Sequence, residues 1–177
     1  MIEVKVAGFA DGRGYFKGTP GTEYKTGTFV KLTTSWSTEA PGTPGKAYNG
    51  ATCYIVTTDS GDQNVYPMNK LLYKPEEEET ESDYVISGDG VIVYKSGQYE
   101  TDNYNTTDTL SSLTPGTLLY TDEDGLLCTG CHGSKNAKPR AMYIGMYSSY
   151  SSKQSARAML WYELLPQTYV TSGILGF

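Results

Sequence analysis

The sequence predicts an all-β protein: an antiparallel β-sandwich or small β-barrel with an extended Gly-rich N-terminal segment. Composition is the first ground, with 20 Gly and 16 Tyr among 177 residues, and turn-formers recurring throughout. Helical chains of this length carry more Ala, Leu, Glu and Lys. The second ground is short β-branched and aromatic runs that are cut by Gly-, Asp-, Asn- and Ser-containing turns. The chain is long enough for one well-packed domain or two small ones. One domain over 1–177 with an N-terminal arm is expected, with a possible internal boundary at the acidic run 75–83.

Ile2, Val4 and Val6 alternate with Glu3 and Lys5, the period-two pattern of a half-buried strand. Gly8 to Gly27 holds six glycines and Pro20 with few aliphatics, which reads as a long loop or an arm lying on something else. Phe29–Thr33 and Cys53–Thr57 read as strands, separated by the turn-formers of residues 38–46. Pro67 restricts Val65–Tyr73 to an edge or a loop. Tyr84-Val85-Ile86 and Val91-Ile92-Val93-Tyr94 flank a Gly-Asp-Gly turn and predict a hairpin.

A closing meander follows. Thr117–Thr121 and Leu126–Thr129 flank Asp122-Glu123-Asp124-Gly125, a hairpin with a four-residue loop. In Ala141–Tyr147, Met142, Ile144 and Met146 are expected on one face, and Tyr143 and Tyr147 on the other. Residues 155–165 support a strand with Leu160, Tyr162 and Leu164 on one face, or a three-turn helix, since Ala, Arg, Met, Leu and Glu form helices well. The tail 167–177 keeps Tyr169 and Phe177 and is expected to dock on its own domain or a neighbour.

The net charge is −6, and Glu76, Glu77, Glu78, Glu79, Glu81 and Asp83 account for all of it. The remainder is nearly neutral, without the basic stretch that phosphate contacts require, so no nucleic-acid partner is expected. No apolar run approaches the roughly 20 residues that span a bilayer, and the N-terminus lacks the pattern of a signal peptide, so neither a membrane nor classical secretion is expected. Three cysteines do not suggest a disulfide framework. Asn105-Thr106-Thr107 matches a glycosylation acceptor, which means little without export.

Cys128-Thr129-Gly130-Cys131-His132 matches the C-x-x-C-H pattern of covalent haem attachment. The setting opposes it: a hairpin and loop, no export signal, and no second histidine. Cys53, Cys128, Cys131 and His132 compose a Cys₃His set that zinc would accept. Cys53 is isolated, however, and adjacent Cys131 and His132 diverge on most backbones, so loop cysteines without a ligand role are expected. Asp122-Glu123-Asp124-Gly125 and Asp59-Ser60-Gly61-Asp62 lack the full ligand series of a calcium loop and read as turns. With one histidine and no nucleophile elbow, P-loop or H-E-x-x-H, neither an enzyme nor a cofactor is expected. The tyrosines supply contact area with a polar tip, as protein interfaces and sugar platforms do. Tyr143, Tyr147, Trp161, Tyr169 and Phe177 are the candidate partner-binding residues.

Leu113-Thr114-Pro115-Gly116-Thr117, the turn Asp122–Gly125, Ala141–Gly145 and Met159–Leu164 together resemble the β-barrel of tailed-phage capsid decoration (cement) proteins. The resemblance covers the last third of the chain. It implies a non-enzymatic virion protein, made in the host cytoplasm, that binds the major capsid protein on the capsid exterior as a homo-oligomer, a trimer by preference. The chain departs from that pattern in length, in the acidic run and in Cys128–His132. The alternative from another class is a carbohydrate- or receptor-binding module of a virion fibre or adhesin, with Trp36 and Trp161 as its platform.

Overall fold

In the computed structural model, residues 1–36, 51–56, 64–71, 83–107, 109–129, 138–151 and 154–167 are described. They form β1 (Ile2–Val6), β2 (Ala10–Phe16), β3 (Tyr24–Lys25), β4 (Phe29–Trp36), β5 (Ala51–Val56), β6 (Val65–Lys70), β7 (Tyr84–Val85), β8 (Gly90–Tyr94) and β9 (Gln98–Thr101). After a 3₁₀ turn at Leu110–Ser112 come β10 (Leu118–Thr121), β11 (Leu127–Cys128), β12 (Ala141–Ser151) and β13 (Gln154–Leu164). The protein is all-β. A six-stranded sheet runs β1-β9-β13-β12-β10-β11, a closed barrel runs β2-β5-β4-β6-β8, and β3 pairs with β7 as a short ribbon. The barrel contains one parallel pair, β2 with β5.

Strand periodicity explains how barrel and sheet share their burial. Val30, Tyr66, Met68, Val91 and Val93 fill one core with Phe16 and Tyr54. Their neighbours Phe29, Val65 and Tyr94 turn the other way, into a second core with Tyr99, Leu119, Tyr143, Leu160, Tyr162 and Leu164 of the sheet. Successive side chains point to opposite faces, so a barrel strand buried on both sides must be apolar without alternation. That is why Val91-Ile92-Val93-Tyr94 is an unbroken run. Burial of these two largely apolar cores is the main favourable term in folding.

Several expectations are corrected. The segment Gly8–Gly27 is not an arm, because Ala10–Phe16 is a barrel strand paired to β8 and β5. At least one of its glycines serves close approach: a Cβ on Gly8 would fall inside the Ser96 carbonyl. Pro67 lies inside the barrel rather than at an edge. It sits at a hand-over, since Val65–Pro67 pair with β4 and Met68–Lys70 pair with β8, and neither ladder needs its missing N–H.

The turn at residues 87–88 exists, but its flanking strands do not form a hairpin. β7 pairs with β3, while β8 pairs with β2 and β6. Residues 155–165 are strand, not helix. Tyr143 is 4% exposed and belongs to the core, so it is no outward contact. Its neighbours do not keep strict alternation, because β12 carries a bulge between Tyr143 and Gly145. The extra residue returns Met146 to the core face opposite Leu160.

The chain moves between the two layers twice, leaving the sheet after β1 and returning at β9. Residues 72–82, which hold most of the acidic run, lie outside the described residues. β6 precedes that gap and β7 follows it, and the next strand, β8, is β6's partner in the barrel.

Candidate functional site

Of the four residues of the Cys₃His set, Cys53 and Cys128 are among the described residues. Cys53 is a buried thiol in β5. Cys128, fully buried in β11, is disulfide-bonded, a state in which its sulfur is not a thiolate ligand. Cys131 and His132 lie outside the described residues, as do Asp59–Asp62. Among the described residues no group of three or more His, Cys, Asp or Glu side chains could hold a metal ion. The disulfide departs from the sequence expectation, which found no such framework in an odd number of cysteines.

The Asp122–Gly125 turn is occupied by its own backbone. Oδ1 of Asp122 accepts the N–H groups of Asp124 (2.9 Å) and Leu126 (2.8 Å), and Oδ2 accepts Asn105 Nδ2 at 2.9 Å. At 8% exposure the carboxylate is a structural acceptor that closes the turn. The tip then docks on the barrel, where Phe29 N–H donates to the Gly125 carbonyl at 2.8 Å. Gly125 has φ +75°, and a Cβ there would lie 2.5 Å from the Phe29 carbonyl oxygen, so no other residue fits. Asn105 is likewise engaged, accepting from Thr107 while it donates to Asp122.

Three constellations escaped the sequence reading because their members lie far apart in the chain. The first is ionic: Asp102 Oδ1 takes the Met1 ammonium at 2.5 Å and Lys25 Nζ at 3.0 Å. Burial alone would raise the Asp102 carboxyl. The two cations outweigh it and hold the group below the usual aspartate range. The Met1 ammonium moves down too, because its own burial exceeds the pull of Asp102 and Asp83.

The second constellation is a latch. Gln167 Oε1 accepts Val65 N–H (2.9 Å) and Arg140 Nη1 (2.8 Å), while Nε2 donates to the Val65 carbonyl (2.6 Å). One amide side chain thereby satisfies both main-chain groups of Val65, as a neighbouring strand would. The third is a pair of cross-strand neighbours, Glu100 and Trp161. Trp161 Nε1 is buried without a hydrogen-bond partner among the described residues. Glu100, 2% exposed, meets Lys5 Nζ at 3.1 Å, a charge contact in which its Oε2 has no aligned hydrogen bond.

Among the described residues, Tyr54, Tyr66, Tyr94, Tyr99, Tyr143 and Tyr162 are buried. Tyr94 stacks on Tyr99 at 4.5 Å between ring centroids, and Tyr99 lies 6.2 Å from Tyr162. Burial pushes the Tyr99 phenol up to about 12 and the Tyr162 phenol well above its ordinary value, so neither is an acid or base at neutral pH. Of the other candidate contacts, Trp161 is half-buried, and Tyr169 and Phe177 lie outside the described residues, as does the Tyr147 side chain. What the surface does offer is apolar: Val4, Val6 and Phe9 in one stretch, Tyr84 and Ile86 in another, and Leu32 and Leu118 singly. No helix among the described residues is long and apolar enough to cross a membrane. No family model, curated protein or solved structure matches the chain.

Proposed function

We propose that this chain is a structural virion protein: a capsid decoration protein that binds the major capsid shell from outside and stabilises it. The observation that supports it best is the pair Tyr84 and Ile86, 45% and 49% exposed at the β3–β7 ribbon. The ribbon is fixed to the frame, since Val85 is fully buried in the barrel core and Asn103 Nδ2 donates to the Lys25 carbonyl at 3.3 Å. An apolar pair on a rigid ribbon is a contact element. The polar groups that could do chemistry are meanwhile spent on structure, as Asp122, Asn105 and Gln167 are. A decoration protein needs rigid frame and contact area, and no catalytic group.

Co-sedimentation with assembled empty shells, and separately with isolated capsid subunits, tests this. The protein pellets with shells, and Tyr84→Ser with Ile86→Ser weakens that binding at least tenfold while leaving the fold intact. Binding to neither shells nor subunits defeats the reading. One observation favours a sugar-binding module instead: the half-buried Trp161 in β13 keeps part of its surface exposed, as an aromatic platform for a sugar ring does. Signal on a glycan array that Trp161→Ala abolishes would replace the shell reading with that one.

A further inference from the structure

β12 and β13 run well past the sheet that holds them. β9 pairs with β13 only from Leu160 to Glu163, and β10 with the turn before it reaches β12 no further than Tyr143. Further out the two strands continue through Ser148 opposite Ala158 and Ser149 opposite Arg157 to Ser151 opposite Gln154. From Leu160 out to Gln154 this ribbon extends about 20 Å. Tyr104 Oη meets it near the base, 3.5 Å from the Ala158 carbonyl. Beyond Ala158, among the described residues, the two strands pair only with each other. The root is firm, because Leu160 and Tyr162 are fully buried in the sheet core.

A two-stranded ribbon on its own is marginally stable in water, so an arm of this length gains from a partner. Its composition says what kind. Between Asp124 and Glu163 the chain holds no acidic residue, although the whole chain stands at −6. From Ser148 to Ala158 the only charged residues are Lys153 and Arg157, set among five serines. Apart from Tyr150 that stretch has no large apolar residue, so burying a face of it would contribute little. Two cations are too few for the phosphate contacts of a nucleic-acid site, and they suit the carboxylates of a protein surface. Position adds a further argument. Thr101 pairs with Leu160, where the arm begins, and the next residue, Asp102, takes Lys25 of the β3–β7 ribbon at 3.0 Å. The arm and the ribbon that carries Tyr84 therefore lie at the same end of the sheet.

We infer that the outer part of the β12–β13 hairpin is a second contact element of the shell-binding surface, and that it engages an acidic patch on the shell subunits through its two cations. This rests on the shell-binding reading above and adds to it the chemistry of the partner. The two elements divide the work: the apolar pair on the β3–β7 ribbon supplies buried area, and the arm supplies charge. Charge at the edge of a contact acts through steering and register, and salt screens it.

Co-sedimentation with assembled empty shells, from about 50 to about 300 mM salt, tests the arm. Wild-type binding weakens about fivefold across that range. Lys153→Glu with Arg157→Glu weakens it about tenfold at the low-salt end and removes the salt dependence. A second variant replaces residues 149–157 by Asn-Gly, a two-residue turn that joins Ser148 to Ala158. It keeps the wild-type urea midpoint, because the residues removed pair only with each other among those described, and it binds shells as weakly as the charge-reversed variant. A wild-type protein that pellets with shells while both variants pellet equally well overturns this inference and leaves the shell-binding reading standing. A loss in the shortened variant alone, with charge reversal and salt without effect, overturns the acidic partner. Binding to double-stranded DNA that the charge reversal abolishes overturns it too, in favour of a nucleic acid. A wild-type protein that pellets with shells at no salt concentration defeats the shell-binding reading itself, and the arm's role with it.

Discussion

The barrel and the six-stranded sheet solve the same problem with different means. The barrel closes on itself, leaves no edge, and packs its inside with Phe16, Val30, Met68, Val85, Val91 and Val93 beside the half-polar Tyr54 and Tyr66. The sheet stays open, and its core is built on Tyr94, Tyr99, Tyr143 and Tyr162. A tyrosine core fills volume as well as an aliphatic one, but every hydroxyl it buries needs a partner. Closure thus frees the barrel of edges, while the open sheet has the core richer in tyrosine.

Phe29 is where the two regions meet. It belongs to a barrel strand, yet it is fully buried in the sheet core with its ring 6.3 Å from Tyr162. Phe29→Ala is expected to cost about 3–5 kcal/mol, the range for deleting a buried aromatic ring. The protein has two tryptophans, one in β4 and one in β13. Trp36→Phe and Trp161→Phe backgrounds therefore report on sheet and barrel separately during urea unfolding. Both reporters are expected to shift together. A barrel signal that keeps its midpoint while the sheet signal moves would break the comparison into two independent folding units.

What the sequence disclosed follows the same division. The β10–β11 hairpin was readable from Asp122–Gly125, because its strands, its turn and its hydrogen bonds are all local. The all-β class was readable from composition for the same reason. The barrel was not. Ala10–Phe16 carries two glycines, and its strand character comes from β5 and β8, some 40 and 80 residues away along the chain. Pro67 pointed to an edge because pairing is usually continuous, and only the hand-over from β4 to β8 makes it tolerable. Tyr143 was placed outward because an even period was assumed where a bulge intervenes. The Met1–Asp102–Lys25 ion cluster and the Gln167 latch join residues about 80 to 100 apart, so no local signal could have announced them.

The hairpin supplies the next prediction. Asp122→Ala leaves the Asp124 and Leu126 amides and the Asn105 side chain without their acceptor, and is expected to cost about 2 kcal/mol. Asp122→Asn keeps an oxygen for the two amides but turns an NH₂ toward Asn105 Nδ2, two donors face to face, at about 1 kcal/mol. Urea midpoints in that order confirm a turn held by its carboxylate. Because the Gly125 carbonyl receives Phe29 N–H, loosening the turn also reaches the barrel. A loss confined to local hydrogen exchange in residues 118–128, with no change in midpoint, would show that the hairpin tip is not part of the barrel–sheet junction.

The smallest effect tests the tyrosine core itself, and its interest lies in the sign. Tyr99 Oη donates to the Ser96 carbonyl at 2.7 Å, whereas the fully buried Tyr162 Oη has no hydrogen-bond partner among the described residues. The rings are 6.2 Å apart and share one environment, so the two hydroxyls differ chiefly in whether they are satisfied. Removing a satisfied hydroxyl loses a bond and strands a carbonyl, so Tyr99→Phe is expected to destabilise by about 1 kcal/mol. Removing an unsatisfied one relieves a desolvation penalty, so Tyr162→Phe is expected to be neutral or to stabilise by up to about 1 kcal/mol. Both variants keep the ring and its packing, which makes the difference between their urea midpoints a direct reading of the hydroxyls. Equal losses for the two would mean that the Tyr162 hydroxyl is as well satisfied as that of Tyr99, and the sheet's tyrosine core would carry no energetic cost that sets it apart from the barrel.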